Sequence, residues 1–244
     1  EVQTEKTKAY VAKLIADKVQ PGISYGYDVW INGKKKKLSY PTTFTSQTLW
    51  QYRTPAPDFT FVVGSCAYVN DAPYDRPGKP YGGDYQIYQT IYKTAPNFML
   101  WLGDNTYLRE GDWNTKTGIN HRYTHTRSLP ELQPLLASTH HYATWDDHDF
   151  GPNDSDKGFF NKYETKKTFE NFWGNMYAGT PEASGVYSSF QWNDIDFILC
   201  DNRTHRTNNN LGKEPNCTLL GKEQLQWLKD KLLASKAPFK IVAM

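Results

Sequence analysis

Four times along this 244-residue chain an apolar run of strand length breaks off into a tight polar cluster. Cys66-Ala67-Tyr68 follows the run Phe59, Phe61 and Val63. Asp104-Asn105-Thr106-Tyr107 follows Phe98 to Leu102, and Asp147-His148-Asp149 follows Tyr142 to Trp145. Asp201-Asn202-Arg203 follows Ile195 to Cys200. Helix-like patterns lie among these runs: Ile87, Tyr88, Ile91 and Tyr92 ahead of Pro96, and a patch from Leu129 to Ala137 interrupted by prolines. An aromatic face of Phe169, Phe172, Trp173, Met176 and Tyr177 follows, then Leu225, Trp227, Leu228 and Leu232 ahead of Pro238. A last strand spans Phe239 to Met244. Apolar strands alternating with helices indicate a layered α/β domain. In such sheets the crevice outside the carboxyl ends of the strands is where sites are built. The four clusters are therefore expected to converge.

The densest of them, Thr144-Trp145-Asp146-Asp147-His148-Asp149, sets three carboxylates around one imidazole. Desolvating that much charge is costly without a cation nearby. A metal ion answers the need, because it neutralises the carboxylates and uses them as ligands. His148 can ligate such an ion or protonate a leaving-group oxygen; a structural His bonded to a neighbouring Asp is the plainer alternative. His140 and His141 read as structural, and His121, His125 and His205 as loop residues rather than ligands.

Asp104, directly after Gly103, stands where a carboxylate can bridge two ions roughly 3.5–4 Å apart. A turn cap would also place an Asp there. Cys66 and Tyr68 are spaced i, i+2, so an extended segment points both to one side. A thiolate beside a phenolate suits ferric iron, and a metal acidifies both. A small buried Cys and an ordinary turn Tyr is the competing reading.

Residues 1–57 differ from the rest. Tyr10, Val11, Leu14, Ile15 and Val19 fall on one helical face over residues 1–20, stopped by Pro21-Gly22. Ile23, Tyr25, Tyr27 and Val29 then alternate as a strand, followed by an Asn32-Gly33 hairpin signal and by Leu38 and Tyr40. Lys34 to Lys37 reads as a solvated strand edge. Pro55-Ala56-Pro57 separates this β module, too small to stand alone, from a domain over residues 58–244.

Composition narrows the function classes. A formal charge of +2 gives no nucleic-acid signal, and no apolar run is long enough for a membrane span. Three cysteines exclude a dense disulfide framework; at most Cys200 and Cys217 pair, leaving Cys66 free. The chain opens at Glu1 without Met or an apolar leader, so a removed secretion signal or a trimmed chain is expected.

Together, Val63-Gly64-Ser65-Cys66-Ala67-Tyr68, Leu102-Gly103-Asp104-Asn105-Thr106-Tyr107, Ala143-Thr144-Trp145-Asp146-Asp147-His148-Asp149 and Leu199-Cys200-Asp201-Asn202-Arg203-Thr204-His205-Arg206 resemble the PhoD-like alkaline phosphatase family. That family sits within the calcineurin-like metallophosphatase superfamily, and the motifs run in its order over roughly residues 58 to 210. The resemblance implies the first half of an αββα sandwich, truncated at its C-terminal end. Residues 1–57 resemble the later strands of the immunoglobulin-like module that precedes it. It also implies roles. Cys66 and Tyr68 would hold a ferric ion, with Asp104 bridging it to calcium; other divalent metals remain open for the second position. Asp147 would stand where the superfamily uses an asparagine ligand, and His148 would contact the phosphate or leaving group. Asn153 or Asp154 would be a further calcium ligand. Arg203 and Arg206 look like the family's arginine motif, touching phosphate or bracing the site.

The implied chemistry is hydrolysis of phosphate esters, mono- or diesters, small or polymeric, by a metal-activated hydroxide. The implied location is extracytoplasmic, periplasmic or secreted. The family's last metal-binding histidine motif is expected beyond Ile241-Val242-Ala243-Met244, and without it half of the metal shell would be missing. Two other classes compete: a non-catalytic extracytoplasmic glycan-binding module, suggested by the Trp and Tyr content, and another metallohydrolase such as a purple acid phosphatase or a nuclease. A purple acid phosphatase places its tyrosine ligand differently and has no Cys-x-Tyr pair.

Overall fold

The structure, a computed structural model, describes residues 1–212 and 214–244. Its N-terminal segment departs from the expected helix. One 3-10 turn forms at Lys6–Lys8, after which Ala9 and Tyr10 take left-handed angles (φ 52° and 56°). Isolated helices gain most of their stability from a buried apolar face. Here Leu14 and Ile15 are 72% and 90% exposed, so there is no such face.

Strand β1 (Ser24–Gly26) is short, as are β2 (Trp30–Ile31), β3 (Lys34–Lys35) and β4 (Thr43–Thr45). β2 and β3 form the expected hairpin, with Asn32 and Gly33 both at positive φ as its turn requires. Lys34 and Lys35 lie exposed on it. β1 pairs antiparallel with β4, stacking Tyr25 on Phe44. These two separate ladders make no sandwich and bury no residue, so the immunoglobulin-like reading finds no support in them. The segment is tied to the rest by bonds such as Tyr27 Oη to the Ala137 carbonyl at 2.9 Å.

The main body begins with β5 (Phe61–Gly64), α1 (Gln86–Lys93) and β6 (Phe98–Leu102). Next come α2 (Lys116–Arg127), α3 (Gln133–Ser138), β7 (His140–Thr144), α4 (Asp147–Phe150) and α5 (Lys162–Phe172). β8 (Ser188–Trp192), β9 (Ile195–Leu199), α6 (Lys222–Ala234) and β10 (Phe239–Ala243) complete it. β5, β6 and β7 form one parallel sheet in that order. β9 lies central in a second sheet, parallel to β10 and antiparallel to β8.

β6 shows why the layers form. It is apolar throughout, as a strand covered on both faces must be. Met99 and Trp101 pack with Ile119, Tyr123, Leu135 and Phe169 of the helices. Phe98 and Leu100 point the other way, into Trp192, Phe197 and Leu199 of the second sheet. Each such side chain contributes about 1.5–3 kcal/mol by burial. The result is helices on one face of the first sheet and the second sheet on its other face, with Trp227 of α6 against Tyr187.

Other elements also depart from the expected pattern, among them α2, β8 and α5. α2 carries His121 and His125, expected in loops. Its composition is polar, but Thr115 caps it by accepting from the Gly118 amide, and Ile119 and Tyr123 are fully buried. β8 was not foreseen. α5 ends at Phe172, so Met176 and Tyr177 lie beyond it. All three cysteines are free, Cys200 and Cys217 included. Burial first, then Asp201, pushes the Cys200 thiol up to about 11.

Candidate metal centre

Parallel register brings the carboxyl ends of β5, β6 and β7 to one edge, with Gly64 opposite Trp101 and Leu102 opposite Thr144. Thr144 Oγ1 donates to the Cys200 carbonyl at 2.6 Å, which brings the end of β9 to the same place. The loops after β5 and β6 are then laced together. Cys66 N donates to the Gly103 carbonyl at 3.2 Å and Ala67 N to the Asp104 carbonyl at 2.8 Å. Gly103 (φ 99°) is needed for close approach: a Cβ there would lie 2.6 Å from the Asp146 Cβ.

Three side chains meet in this notch. His148 Nδ1 lies 3.0 Å from Asp147 Oδ1 and 3.2 Å from Asp104 Oδ2. The His148 amide donates to the other Asp104 oxygen at 3.2 Å. One ligand atom from each of Asp104, Asp147 and His148 lies within 4.8 Å of the others. Cys66 Sγ stands 3.9 Å from Asp104 Oδ2. Burial works against charge on His148, but hydrogen bonds and attraction from Asp104 and Asp147 outweigh it and lift the imidazole to about 10. Asp147 is also pushed up by burial. His148, the Asp154 amide and Arg203 more than offset that and hold it well below the usual carboxylate range.

Asp149 does something else. It is fully buried and accepts from the amides of Asp146, Asn105 and Thr106 at 3.0–3.2 Å. Burial nevertheless raises its carboxyl well above the ordinary value. It fastens the Asp104 loop to the start of α4.

Several residues expected at the site are placed otherwise. The Tyr68 phenol donates to Asp75 at 2.9 Å, and Arg109 stacks 4.2 Å over its ring. The reason is local: Cys66 has φ 58°, so the segment is not extended and the i, i+2 rule fails. Tyr107 takes the inward position. Its ring lies 4.4 Å from His148, and its phenol is raised by burial first, then by Asp104 and Cys66. Sequence reading gave Tyr107 no role. The signal was there: three residues after Asp104 in a short turn, enough for the chain to fold back.

Arg203 braces rather than faces the notch. Its Nε donates to Asp146 at 2.5 Å, and Nη2 stands 4.0 Å from Asp147. Arg206 is half-buried and bonded to Asn209. Asn153 lines the cavity beside His148, its amide donating to Asp154. Asp154 reaches Asp147 through its backbone amide at 2.6 Å.

The donor set fits a cation. Two carboxylates converge on one point, and among the described residues the His148 imidazole and the braced Arg203 are the cationic partners paired with them. Oxygen donors with a thiol at the margin offer both hard and soft ligation.

The carboxylate–imidazole notch lies at the carboxyl ends of parallel strands in a layered α/β fold, where such folds build their functional sites. The PhoD-like phosphatase family model matches residues 61–244, and the chain belongs to that family. It is 25% identical to alkaline phosphatase D of Bacillus subtilis (strain 168), over 98% of this chain and 46% of that protein. In fold it matches the solved structure of PhoD with a TM-score of 0.77 at 19% identity, covering 98% of this chain and 50% of that one. A purple acid phosphatase from yellow lupin (Lupinus luteus) seeds is similar at a TM-score of 0.55 and 13% identity, over 92% of this chain and 36% of that one. The chain thus spans about half the length of the PhoD relatives.

Proposed function

We propose that residues 58–244 form part of a phosphate-ester hydrolase centre that works with bound metal. The observation that carries this is the Asp104–Asp147–His148 cluster, in a chain of the PhoD-like phosphatase family. Asp104 and Asp147 would hold metal, with Cys66 and a phenol completing a ferric position and calcium beside it. The phenol best placed for this is Tyr107, since Tyr68 is engaged by Asp75. Asn153 stands close enough to the cavity to serve the second ion. Bound metal supplies neutralisation of phosphate charge and acidifies an attacking water.

The chain's own residues do the rest. His148 uses Nδ1 for the two carboxylates, and Nε2 has no partner among the described residues. That nitrogen is free to give a proton to the leaving oxygen. Arg203 fixes Asp146 and Asp147 in register rather than gripping phosphate. The substrate class is a phosphomonoester or diester, small or polymeric, and an extracytoplasmic location goes with the family. Among the described residues no helix is long and apolar enough to cross a membrane.

Elemental analysis and visible absorption of purified protein, alongside hydrolysis of bis(4-nitrophenyl) phosphate, test the reading. Iron with an intense visible band, and turnover abolished by chelators, is the expected result. Colourless, inactive protein that stays so after reconstitution with iron and calcium would sink it.

A further inference from the structure

A cavity of about 650 Å³ opens beside His148, and its walls are aromatic. Tyr68, Tyr74, Tyr81, Tyr107 and Trp113 line it together with His148. The volume falls within the range of small-molecule sites. A phosphate group alone would not fill such a space.

The rings are held in place. Asn70 grips Tyr81 at both its amide and its carbonyl, and the Tyr81 ring meets Tyr68 edge-on at 5.1 Å. Tyr68 is fixed by Asp75 through its hydroxyl and by the Arg109 guanidinium on its face. Arg109 is itself locked to Asp75 at 2.8 Å and to the Val69 carbonyl at 2.9 Å. Tyr107 is packed on His148. Rings already ordered lose little entropy on binding. Tyr74 and Tyr81 are nonetheless 60% and 62% exposed, which leaves their surfaces open to a ligand. At the mouth, Arg76 and Glu110 pair loosely at 3.6 Å, and such exposed pairs separate at little cost.

We propose that this cavity binds the organic group of the phosphate ester and selects for a planar ring, aryl or heteroaryl. The phosphorus would sit at the Asp104–Asp147 notch and the ring against Tyr68, Tyr81 and Tyr107. His148, common to notch and cavity, stands where the two parts join. The proposal rests on the phosphate-ester reading above.

Calorimetric titration of the metal-loaded protein with methyl-, cyclohexyl- and phenylphosphonate tests it without turnover. Phenylphosphonate should bind ~10-fold more tightly than methylphosphonate, as stacking adds to burial. Cyclohexylphosphonate should fall between them. A Tyr74→Ala, Tyr81→Ala double variant should lose most of the phenyl preference and keep its methylphosphonate affinity; both rings are exposed, so folding is spared. Equal binding of all three in the unaltered protein overturns the subsite alone. Cyclohexyl binding as tight as phenyl overturns the planar-ring selectivity. Binding of none overturns the phosphate-ester reading and the subsite with it.

Discussion

Two acidic clusters lie within this molecule, and they are built on opposite principles. In one, Asp71, Asp75 and Asp112 surround Arg109 and Arg122, with carboxylate–guanidinium distances of 2.7–3.0 Å. In the other, Asp104 and Asp147 face an imidazole, with only a braced arginine at 4.0 Å from Asp147. The first cluster carries its own counter-charge and ties the cavity wall together. The second has the His148 imidazole at 3.0 and 3.2 Å from its two carboxylates. Carboxylates paired with guanidinium have their charge met by a permanent cation; those facing an imidazole have it met by a group that titrates.

The contrast breaks most visibly at Asp104. Asp104→Asn should abolish ester hydrolysis and lower bound iron while leaving the fold intact, read by assay, elemental analysis and circular dichroism. Normal activity would deny it a bridging role. The reverse pattern is expected for Arg122→Met, which strands Asp71 and Asp112 against a fully buried site. Stability should drop by about 3–5 kcal/mol in denaturant unfolding, with metal content per folded molecule unchanged.

Tyrosine variants sharpen the boundary between the clusters. Tyr107→Phe should remove or strongly shift the visible band of the iron-loaded protein, whereas Tyr68→Phe should leave it in place. A band lost in Tyr68→Phe instead would return the phenolate to that residue.

A pH effect away from both clusters is smaller. Burial, then Arg127 and His140, overcome the Leu135 carbonyl and hold His141 down at about 4. The unfolded chain takes up that proton near pH 6.5, so stability is present above that value and falls as pH drops from 6.5 to 4. His141→Phe should flatten the melting temperature across this window; an unchanged slope would place the acid sensitivity elsewhere. Least affected is Arg206→Ala, which removes a half-buried side chain bonded to Asn209 and is expected to lower stability by about 0.5–1 kcal/mol.

Strands with unbroken apolar runs were legible because burial on both faces leaves one reading: Phe98–Leu102 is found as expected. Polar elements were not. α2 is held by a cap and by tertiary packing around Ile119 and Tyr123, neither of which shows as periodicity. The first twenty residues carry helical periodicity but find nothing to cover. At the site, Asp104, Asp147 and His148 could be read from their strand ends. That Tyr68 turns to Asp75 was not legible, because it depends on one left-handed residue, Cys66; the position of Tyr107 three residues after Asp104 was the available signal for a ring beside His148. The Asp71–Arg122 brace was invisible for a similar reason: its members are scattered through loops and one polar helix.

Asp149 is fully buried with both oxygens engaged, and it receives amides from both loops that carry the acids. Asp104 and Asp147 therefore share a single anchor. Their loops cannot part independently, so the gap between the two carboxylates has a fixed gauge. The spacing of the candidate ligand pair is thus set by a residue that stands outside it.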